Sequence, residues 1–280
     1  MNNHFTGQYV PGDGFLYRLD ARAKLLCLLL FTVAVIAANC LAAYLAVAAS
    51  LLALLIFFSI LSPNFMTVKN MITVLKQVSV NGICAVGLAI IMIGGGIDLS
   101  TGSQAAVAGM ICSTLLVNKG WPTIPAFAAA IVITACTVGL LNGLAVAYTG
   151  MPPLIATLGT QNIARGIAYL VTNGFIVYNL PDPAKIVGQG SLLGGYLPIC
   201  VILFAVIMVI GHFILNKTSY GRMLFAVGSN KEAARLSGIP VKLIVISSYV
   251  IGSLFISLGG VVLMSRVNSG IPSSGTDIYI

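Results

Sequence analysis

The sequence carries very little charge. Only 7% of its 280 residues are Asp, Glu, Lys or Arg, whereas 59% are hydrophobic. An ordinary soluble domain has about 25% charged residues, because its surface must be solvated by water. A soluble globular protein is therefore excluded, and lipid is expected to be the solvent for most of this chain.

Histidine and acidic residues are also scarce, which excludes several kinds of site. The chain has two histidines and six acidic residues, and its six cysteines show no C-x-x-C spacing. A disulfide framework and a histidine-based zinc site are therefore not expected. The sequence also lacks a Gly-rich phosphate loop, an H-E-x-x-H motif and a G-x-S-x-G motif. We expect no cofactor and no enzymatic activity, so energy for any work must come from a partner protein.

Apolar segments of membrane-spanning length make up most of the chain. A transmembrane helix needs about 20 apolar residues, and polar breaks divide the sequence into eight candidate segments. These are Leu25–Asn39, Leu41–Leu61, Val74–Ile93, Ser103–Val117, Ile124–Tyr148, Leu154–Thr172, Tyr196–Leu215 and Leu243–Met264. The sequence therefore predicts an all-α, polytopic transmembrane helix bundle of seven or eight segments. Glycines such as Gly139 and Gly143 are expected to let these helices pack closely, and Lys76 to snorkel at the end of its span.

Basic residues predict the orientation. The loop 216–242 holds five basic residues and one acid, Glu232, so the positive-inside rule places it in the cytoplasm. The slightly basic N-terminal segment prefers the same side. The two assignments conflict, because counting the spans back from the loop puts residues 62–69 outside, whereas a helix pair after a cytoplasmic N-terminus puts them inside. Either Leu25–Asn39 does not cross the membrane, or a span is miscounted, or the N-terminus is outside.

A glycine-rich break separates two apolar segments. Three consecutive glycines begin at position 94, and the next helix is expected to open near Ser100 or Ser103, which are good N-caps. Non-helical backbone at membrane depth is tolerated only where it lines a cavity or is buried in protein. Gly95, Gly96, Asp98 and Ser100 are therefore candidates for a broken helix beside a pathway. An interfacial turn capped by Asp98 is the alternative.

Arg165 is a second pathway candidate. It lies within the apolar segment Leu154–Thr172, and a cation inside the membrane marks a functional site by default. The alternative is a structural arginine that binds carbonyl groups at a helix end. The same segment contains Gln161 and Asn162, so we expect it to face protein or water rather than lipid.

Within the basic loop, Ser229–Gly238 has the pattern of a short capped helix. Ser229 or Asn230 is suited to the N-cap, Glu232 to the first turn and Gly238 to the C′ position. Such a helix, lying across the cytoplasmic ends of the spans, is suited to docking in a groove of another protein. A solvated linker between two spans is the alternative.

From about residue 57 onward the chain carries seven motifs in a characteristic order: SPNFMTVKN (62–70), GGGIDLSTGS (94–103), LNG (141–143), PPLIATLGT (152–160), RGIAYLVTNG (165–174), TSYGRMLFAVGSNKEAARLSGI (218–239) and SRVNSGIPSSGT (265–276). In these motifs the chain resembles the bacterial ribose/sugar ABC transporter permeases. The resemblance implies the multi-pass permease subunit of an ATP-driven importer of a ribose-like monosaccharide in the bacterial inner membrane. Two permease chains would form the pathway as a homodimer. ABC ATPase subunits would power it, and an extracytoplasmic sugar-binding protein would deliver the sugar.

The resemblance also implies a coupling segment. The part of the family that docks in the ATPase matches residues 221–238, in agreement with the capped-helix pattern. Its candidate residues are Gly221, Arg222, Gly228, Asn230, Glu232, Ala233, Arg235 and Gly238. Asp98 and Ser100 match the family's I-D-L-S motif, which by itself assigns them no role.

Two features depart from this family. The chain ends where the family continues through further apolar helices, so we expect the transmembrane domain to be truncated. Residues 1–55 resemble the N-terminus of the energy-coupling-factor transporter transmembrane subunit, a family that imports vitamins and metal ions with ABC ATPases. We therefore expect residues 1–56 to be a polar segment and helix pair foreign to the rest, and residues 57–280 to form the sugar-permease-like domain. An importer of the energy-coupling-factor type is the alternative function.

Overall fold

The computed structural model describes residues 41–62, 64–276 and 278. The chain divides into two compact units, residues 1–70 and residues 71–280. The described part of the first unit holds helix α1, Leu41–Leu61, and the first turn of α2, Val68–Ile93. α1 has no charged residue and exposes large apolar side chains, and its bounds confirm the predicted segment. The predicted segment Leu25–Asn39, on which the topology conflict depends, lies outside the described residues.

The second unit is a bundle of helices with a few short strands. After α2 its helices are α3 (Thr101–Ser113), α4 (Thr123–Thr134), α5 (Leu140–Thr149), α6 (Pro153–Leu170), α7 (Asp182–Gln189), α8 (Ile199–Lys217), α9 (Ser219–Ser229), α10 (Lys231–Leu236) and α11 (Val241–Val267). Two-residue strands form two antiparallel ribbons, β1 (Val177–Tyr178) with β4 (Ser269–Gly270), and β2 (Ser191–Leu192) with β3 (Leu197–Pro198).

Two π-helical turns interrupt the regular helices. Thr114–Asn118 continues α3, and Ala135–Gly139 joins α4 to α5 in one helix, Thr123–Thr149. Four helices of the described ranges are long and apolar enough to cross a membrane: Val68–Ile93, Thr123–Thr149, Ile199–Lys217 and Val241–Val267. This architecture confirms the predicted all-α polytopic membrane bundle.

α11 is the central helix of the second unit. It packs against α3, α4, α5 and α7, and most of its length is buried. Small residues allow the close approach: Gly260 lies directly against the backbone of Ala105 in α3, and Gly139 and Gly143 pack against α11. The predicted role of these two glycines in helix packing is therefore confirmed.

The helices of this unit run between two ends. α11 starts beside the end of α2, where Ser248 lies near Gly94, and it finishes beside α7, where Arg266 lies against Gly188. We call the end that holds α9, α10 and the start of α11 the basic end. Its basic residues are Lys217, Arg222, Lys231, Arg235 and Lys242. The opposite end, with α7 and the strands, is called the far end.

The structure corrects one expectation near α2. The helix begins at Val68 rather than Val74, because the Thr67 hydroxyl caps it by accepting the Asn70 N–H at 3.3 Å. Lys76 lies in the third turn of the helix, and its Nζ donates to the carbonyl of Gln189 at 2.9 Å, at the C-terminal end of α7, where the helix dipole favours a cation. The snorkelling of Lys76 stays a prediction.

The other predicted segments within the described residues form helices, with bounds that differ by a few residues. The segment predicted from Tyr196 begins at Ile199, because Leu197–Pro198 pairs as a strand. α7 and the strands were not predicted. α7 starts after Pro181 and is held to α11 by Ser265, whose hydroxyl donates to the Ala184 carbonyl at 2.5 Å and accepts the Gly188 N–H at 2.8 Å.

Candidate coupling segment and buried Asp98 network

α9 opens the candidate coupling segment with a side-chain cap. Thr218 is the N-cap, and its hydroxyl accepts the Gly221 N–H at 3.1 Å. Gly221 and Leu224, three residues apart, are buried against the bundle, whereas Arg222 and Phe225 are exposed. α9 is therefore an amphipathic helix that lies on the basic end with one face free.

α10 is the predicted capped helix. Asn230 is its N-cap, and its Oδ1 accepts the N–H groups of Glu232 and Ala233, each at 3.0 Å. Gly238 follows the helix with a left-handed φ of 80°, the conformation of a C′ stop. Ser229, the other N-cap candidate, ends α9. The local pattern alone thus predicted this helix correctly.

The outer surface of α9 and α10 combines exposed apolar side chains with basic groups. Leu236 is 84% exposed and Phe225 is 45% exposed. The Glu232 carboxylate pairs with Arg235 at 2.9 Å, and both side chains are largely exposed, so the pair contributes at most about 1 kcal/mol to stability. Exposed apolar groups rimmed by charge are typical of a protein contact surface.

Two contacts join helices at the basic end. The Ser247 hydroxyl of α11 donates to the Tyr220 Oη of α9 at 3.3 Å, and burial raises the pKa of the Tyr220 phenol, which keeps it neutral. Lys242 Nζ lies 4.6 Å from the centre of the Tyr148 ring, a cation–π contact between α11 and the end of α5.

The glycine-rich break begins where α2 ends at Ile93. Gly95 has a φ of 77°, and the N–H groups of Gly95 and Gly96 donate to the carbonyls of Met92 and Ile91 at 2.9 and 3.0 Å. These two bonds form a Schellman motif, which needs a left-handed residue at the first position after the helix. The predicted helix break is therefore confirmed, and Gly95 is the residue that makes it.

Asp98 lies in this break and is only 4% exposed. Its Oδ1 accepts the Ser100 N–H at 2.8 Å and the Ser100 hydroxyl at 2.5 Å, and its Oδ2 accepts the Gln104 amide at 2.7 Å. A buried carboxylate is stable only when such donors satisfy it. Ser100 occupies the predicted N-cap of α3, but its hydroxyl makes no cap bond to the helix; its oxygen accepts side-chain amides instead. Ser103, the other N-cap candidate, lies inside α3.

Further bonds connect Asp98 to three more helices. Ser100 Oγ accepts the amide groups of Gln104 at 2.7 Å and Asn142 at 2.9 Å. The Ser253 hydroxyl donates to Gln104 Oε1 at 2.5 Å, and the Thr160 hydroxyl donates to Asn142 Oδ1. We call these residues and Asp98 the Asp98 network. It joins the break and α3 to α5, α6 and α11 through uncharged donors.

The backbone of the break is bound as well. The Tyr249 hydroxyl of α11 donates to the Ile97 carbonyl at 3.2 Å, and the Leu99 N–H donates to Thr157 Oγ1 of α6 at 3.2 Å. The non-helical backbone therefore finds partners inside the protein, which is the condition for such backbone at membrane depth.

Arg165 lies outside the Asp98 network. Its Nη1 donates to the carbonyls of Pro272 and Ser274 at 2.8 and 2.7 Å, in the non-helical stretch after α11. Its Nη2 is buried and has no partner within the described ranges. The arrangement is that of the structural alternative, an arginine that satisfies free carbonyl groups.

Sequence reasoning missed four members of the network, Gln104, Asn142, Thr160 and Ser253. Each is an uncharged polar residue within a predominantly apolar helix, which was the available signal, and Asn142 belongs to the LNG motif. Within the part of the chain that the structure describes, no three His, Cys, Asp or Glu side chains are grouped so that they could hold a metal ion.

Comparison with known proteins identifies the family. The family model described as "branched-chain amino acid transport system / permease component" matches residues 70–280. The chain is 36% identical to the ribose import permease protein of Escherichia coli K12, over 81% of this chain and 72% of that protein. It is 33% identical to the ribose import permease protein of Bacillus subtilis 168, over 79% and 68% respectively. The galactose/methyl galactoside import permease protein of E. coli K12 is 33% identical, over 80% and 70%. No solved structure matches the chain.

These matches decide between the two predicted families for the described bundle. The matched range, 70–280, contains α3 to α11 and therefore both the coupling segment and the Asp98 network. The ribose, galactose and L-arabinose relatives that match it are sugar permeases. Members of the family are transport components that work with an ATPase and a substrate-binding protein, and they are not themselves enzymes. The chain is a multi-pass protein of the inner membrane, and it belongs to the bacterial ribose/sugar ABC transporter permease family.

Proposed function

We propose that this chain is the membrane-spanning subunit of an ATP-driven importer of a monosaccharide, with ribose as the first candidate substrate. The observation that carries the proposal is the 36% identity to a ribose import permease over 81% of the chain. Galactose and L-arabinose import permeases are also among the relatives. An uncharged sugar is therefore the substrate class, and the particular sugar is the point to test.

The basic end is proposed to receive the ATPase. The capped helix α10 and the free face of α9 present Phe225 and Leu236 to solvent, with basic side chains around them. The proposed coupling residues are Gly221, Arg222, Gly228, Asn230, Glu232, Ala233, Arg235 and Gly238. Gly221 and Asn230 serve this surface indirectly, by seating α9 and by capping α10.

A second copy of the chain is proposed to cover α6. This helix exposes one face that includes Ile155, Asn162 and Tyr169, and an amide facing lipid would be costly. Protein or a water-filled pathway between two copies is therefore the environment that suits this face. The sugar-binding protein would deliver its cargo at the far end, opposite the ATPase.

The broken-helix candidates are proposed to support the pathway rather than to touch the sugar. Asp98 is 4% exposed and Ser100 is fully buried, and Arg165 binds backbone carbonyls. Gly95 and Gly96 shape the turn that carries Asp98.

The test is uptake in defined bacterial strains. The chain is expressed in E. coli K12 lacking its ribose import permease protein, and in a second strain lacking its galactose/methyl galactoside import permease protein. We expect restored uptake of radiolabelled ribose in the first strain, because the host supplies the ATPase and the binding protein. Restored galactose uptake alone would instead assign a hexose. Uptake in neither strain, with the chain present in the membrane fraction, would contradict a sugar-import function.

A further inference from the structure

The coupling segment touches the glycine-rich break directly. A methyl group placed on Gly228 of α9 would collide with the carbonyl oxygen of Ile93, and one placed on Gly95 would lie 3.7 Å from the Gly228 Cα. One turn earlier on α9, Leu224 is fully buried, and its Cδ1 lies 2.9 Å from the position of a methyl group on Gly94. No side chain separates the two backbones at Gly228, so a displacement of α9 must displace the start of the break.

At Gly228, α9 contacts the break and is also exposed to solvent. Gly228 is exposed on one side while its other side packs on Ile93. A partner bound to the free face of α9 is therefore separated from the end of α2 only by the backbone of Gly228. No flexible side chain lies between α9 and α2 at this point to absorb a movement of α9.

From the break, bonds lead to every helix of the Asp98 network. The carboxylate of Asp98 holds Ser100 and Gln104, which bind Asn142 of α5 and Ser253 of α11. Thr157 and Thr160 connect α6 to the same centre. Gln104 and Ser253, which bond each other, are 149 residues apart in sequence, so this centre joins distant parts of the chain.

The Asp98 carboxyl group accepts each of the bonds that reach it. All three groups that reach the Asp98 carboxylate are donors. An asparagine amide at this position would set its own NH₂ against one of these donors, because it offers only one acceptor oxygen. Asp98→Asn therefore changes the bonding of the centre while it keeps the size of the side chain.

We propose that the break 94–100 is the link that transmits the position of α9 to α3, α5, α6 and α11, with Asp98 as the positioning residue that holds the four helices to it. The inference rests on the proposed function in that α9 is taken to be where the ATPase docks. Asp98 touches neither ATP nor sugar. It converts a movement at the basic end into a joint movement of the helices around it.

The first experiment needs neither partner nor substrate. Amide hydrogen exchange is measured on the full chain in detergent for Gly228→Ala and for the neighbouring control Ser229→Ala, which adds no group toward Ile93. We expect Gly228→Ala to speed exchange about tenfold, equivalent to about 1.4 kcal/mol, in peptides covering 94–104 and 153–160, and the control to leave them unchanged. Faster exchange confined to 218–229 would overturn the link.

The second experiment measures coupling in membrane vesicles that contain the ATPase and binding protein. For Asp98→Asn we expect the sugar transported per ATP hydrolysed to fall about tenfold, the change produced by about 1.4 kcal/mol of lost coupling. The control is Ser257→Ala, which removes a buried hydroxyl that has no partner within the described residues, and it should keep the native ratio. An unchanged ratio in Asp98→Asn, or equal losses in both variants, would overturn the role of Asp98. If the unsubstituted chain transports no sugar, the proposed function fails, whereas the exchange experiment still decides the link.

Discussion

Gly260 shows how much of this bundle depends on single residues without a side chain. A methyl group on Gly260 would lie 2.6 Å from Ala105 Cα and 2.8 Å from its carbonyl carbon, so the two helices meet backbone to backbone. Backbone atoms cannot rotate away as a side chain can. The contact therefore fixes the separation of α3 and α11, and with it the 2.5 Å bond between Gln104 and Ser253.

Gly260→Ala is accordingly expected to lower the free energy of unfolding by about 1–3 kcal/mol, because α3 and α11 must move apart to make room. Thermal unfolding of the purified chain in detergent measures the change. The matched control is Gly109→Ala in the same helix pair, where the nearest atoms lie at 3.4 and 3.5 Å, an ordinary contact distance. Equal destabilisation by both substitutions would contradict the backbone-contact explanation.

Among the elements, α9 and α10 are the pair whose surface serves a partner rather than the fold. Arg222 is exposed, and its Nη2 donates to the nearby Ser219 hydroxyl at 2.9 Å. Glu232 and Arg235 pair with each other at the surface. These charges contribute little to folding, so their substitution probes docking without a large effect on the structure.

Arg222→Glu combined with Glu232→Arg is expected to reduce the amount of ATPase that co-purifies with the chain, because reversed charges are repelled by a surface complementary to the native ones. Thermal stability should change by less than about 0.5 kcal/mol, as is usual for exposed sites. The control is Lys119→Glu at the far end. Undiminished ATPase retention in the double variant would count against the coupling assignment.

The same elements show what local sequence can and cannot predict. α10 was predicted with its cap and its stop, because Asn230 and Gly238 act on backbone groups within a few residues. The apolar spans were predicted because lipid requires a fixed length of apolar chain. The Asp98 network was not, because Gln104 and Ser253 are 149 residues apart and no local pattern marks two polar groups as partners. The bond of Lys76 to Gln189 was not predicted for the same reason, since its acceptor belongs to α7.

At the scale of the whole molecule, the charge of one loop indicates the orientation. The basic end carries five Lys and Arg in the loop 216–242, against Glu232 alone. At the far end the Lys185 ammonium, 2.9 Å from Asp182, holds the pKa of that carboxyl below its usual value, so the pair stays neutral overall. The positive charge of the loop 216–242 is the basis for expecting the basic end in the cytoplasm.

Single cysteines test that orientation in a chain whose native cysteines are replaced by serine. Lys119→Cys at the far end should react with a membrane-impermeant maleimide in intact spheroplasts. Ser229→Cys should react only after the membrane is opened, because the positive-inside rule places α9 in the cytoplasm. The reverse pattern would contradict the assigned orientation.

The separate origin of residues 1–56 stays a prediction, and sequencing of the genomic locus across that boundary is its test.

The length of chain between Gln104 and Ser253 also has a consequence for how the protein is made. Helices enter the membrane in the order of synthesis, and Gln104 is translated 149 residues before the serine that completes its bonding. Until α11 is inserted, the early part of the bundle holds amide and hydroxyl groups in lipid with an incomplete set of partners. We therefore expect α3 to stay near the insertion machinery or a membrane chaperone during translation, and the bundle to close only when α11 arrives.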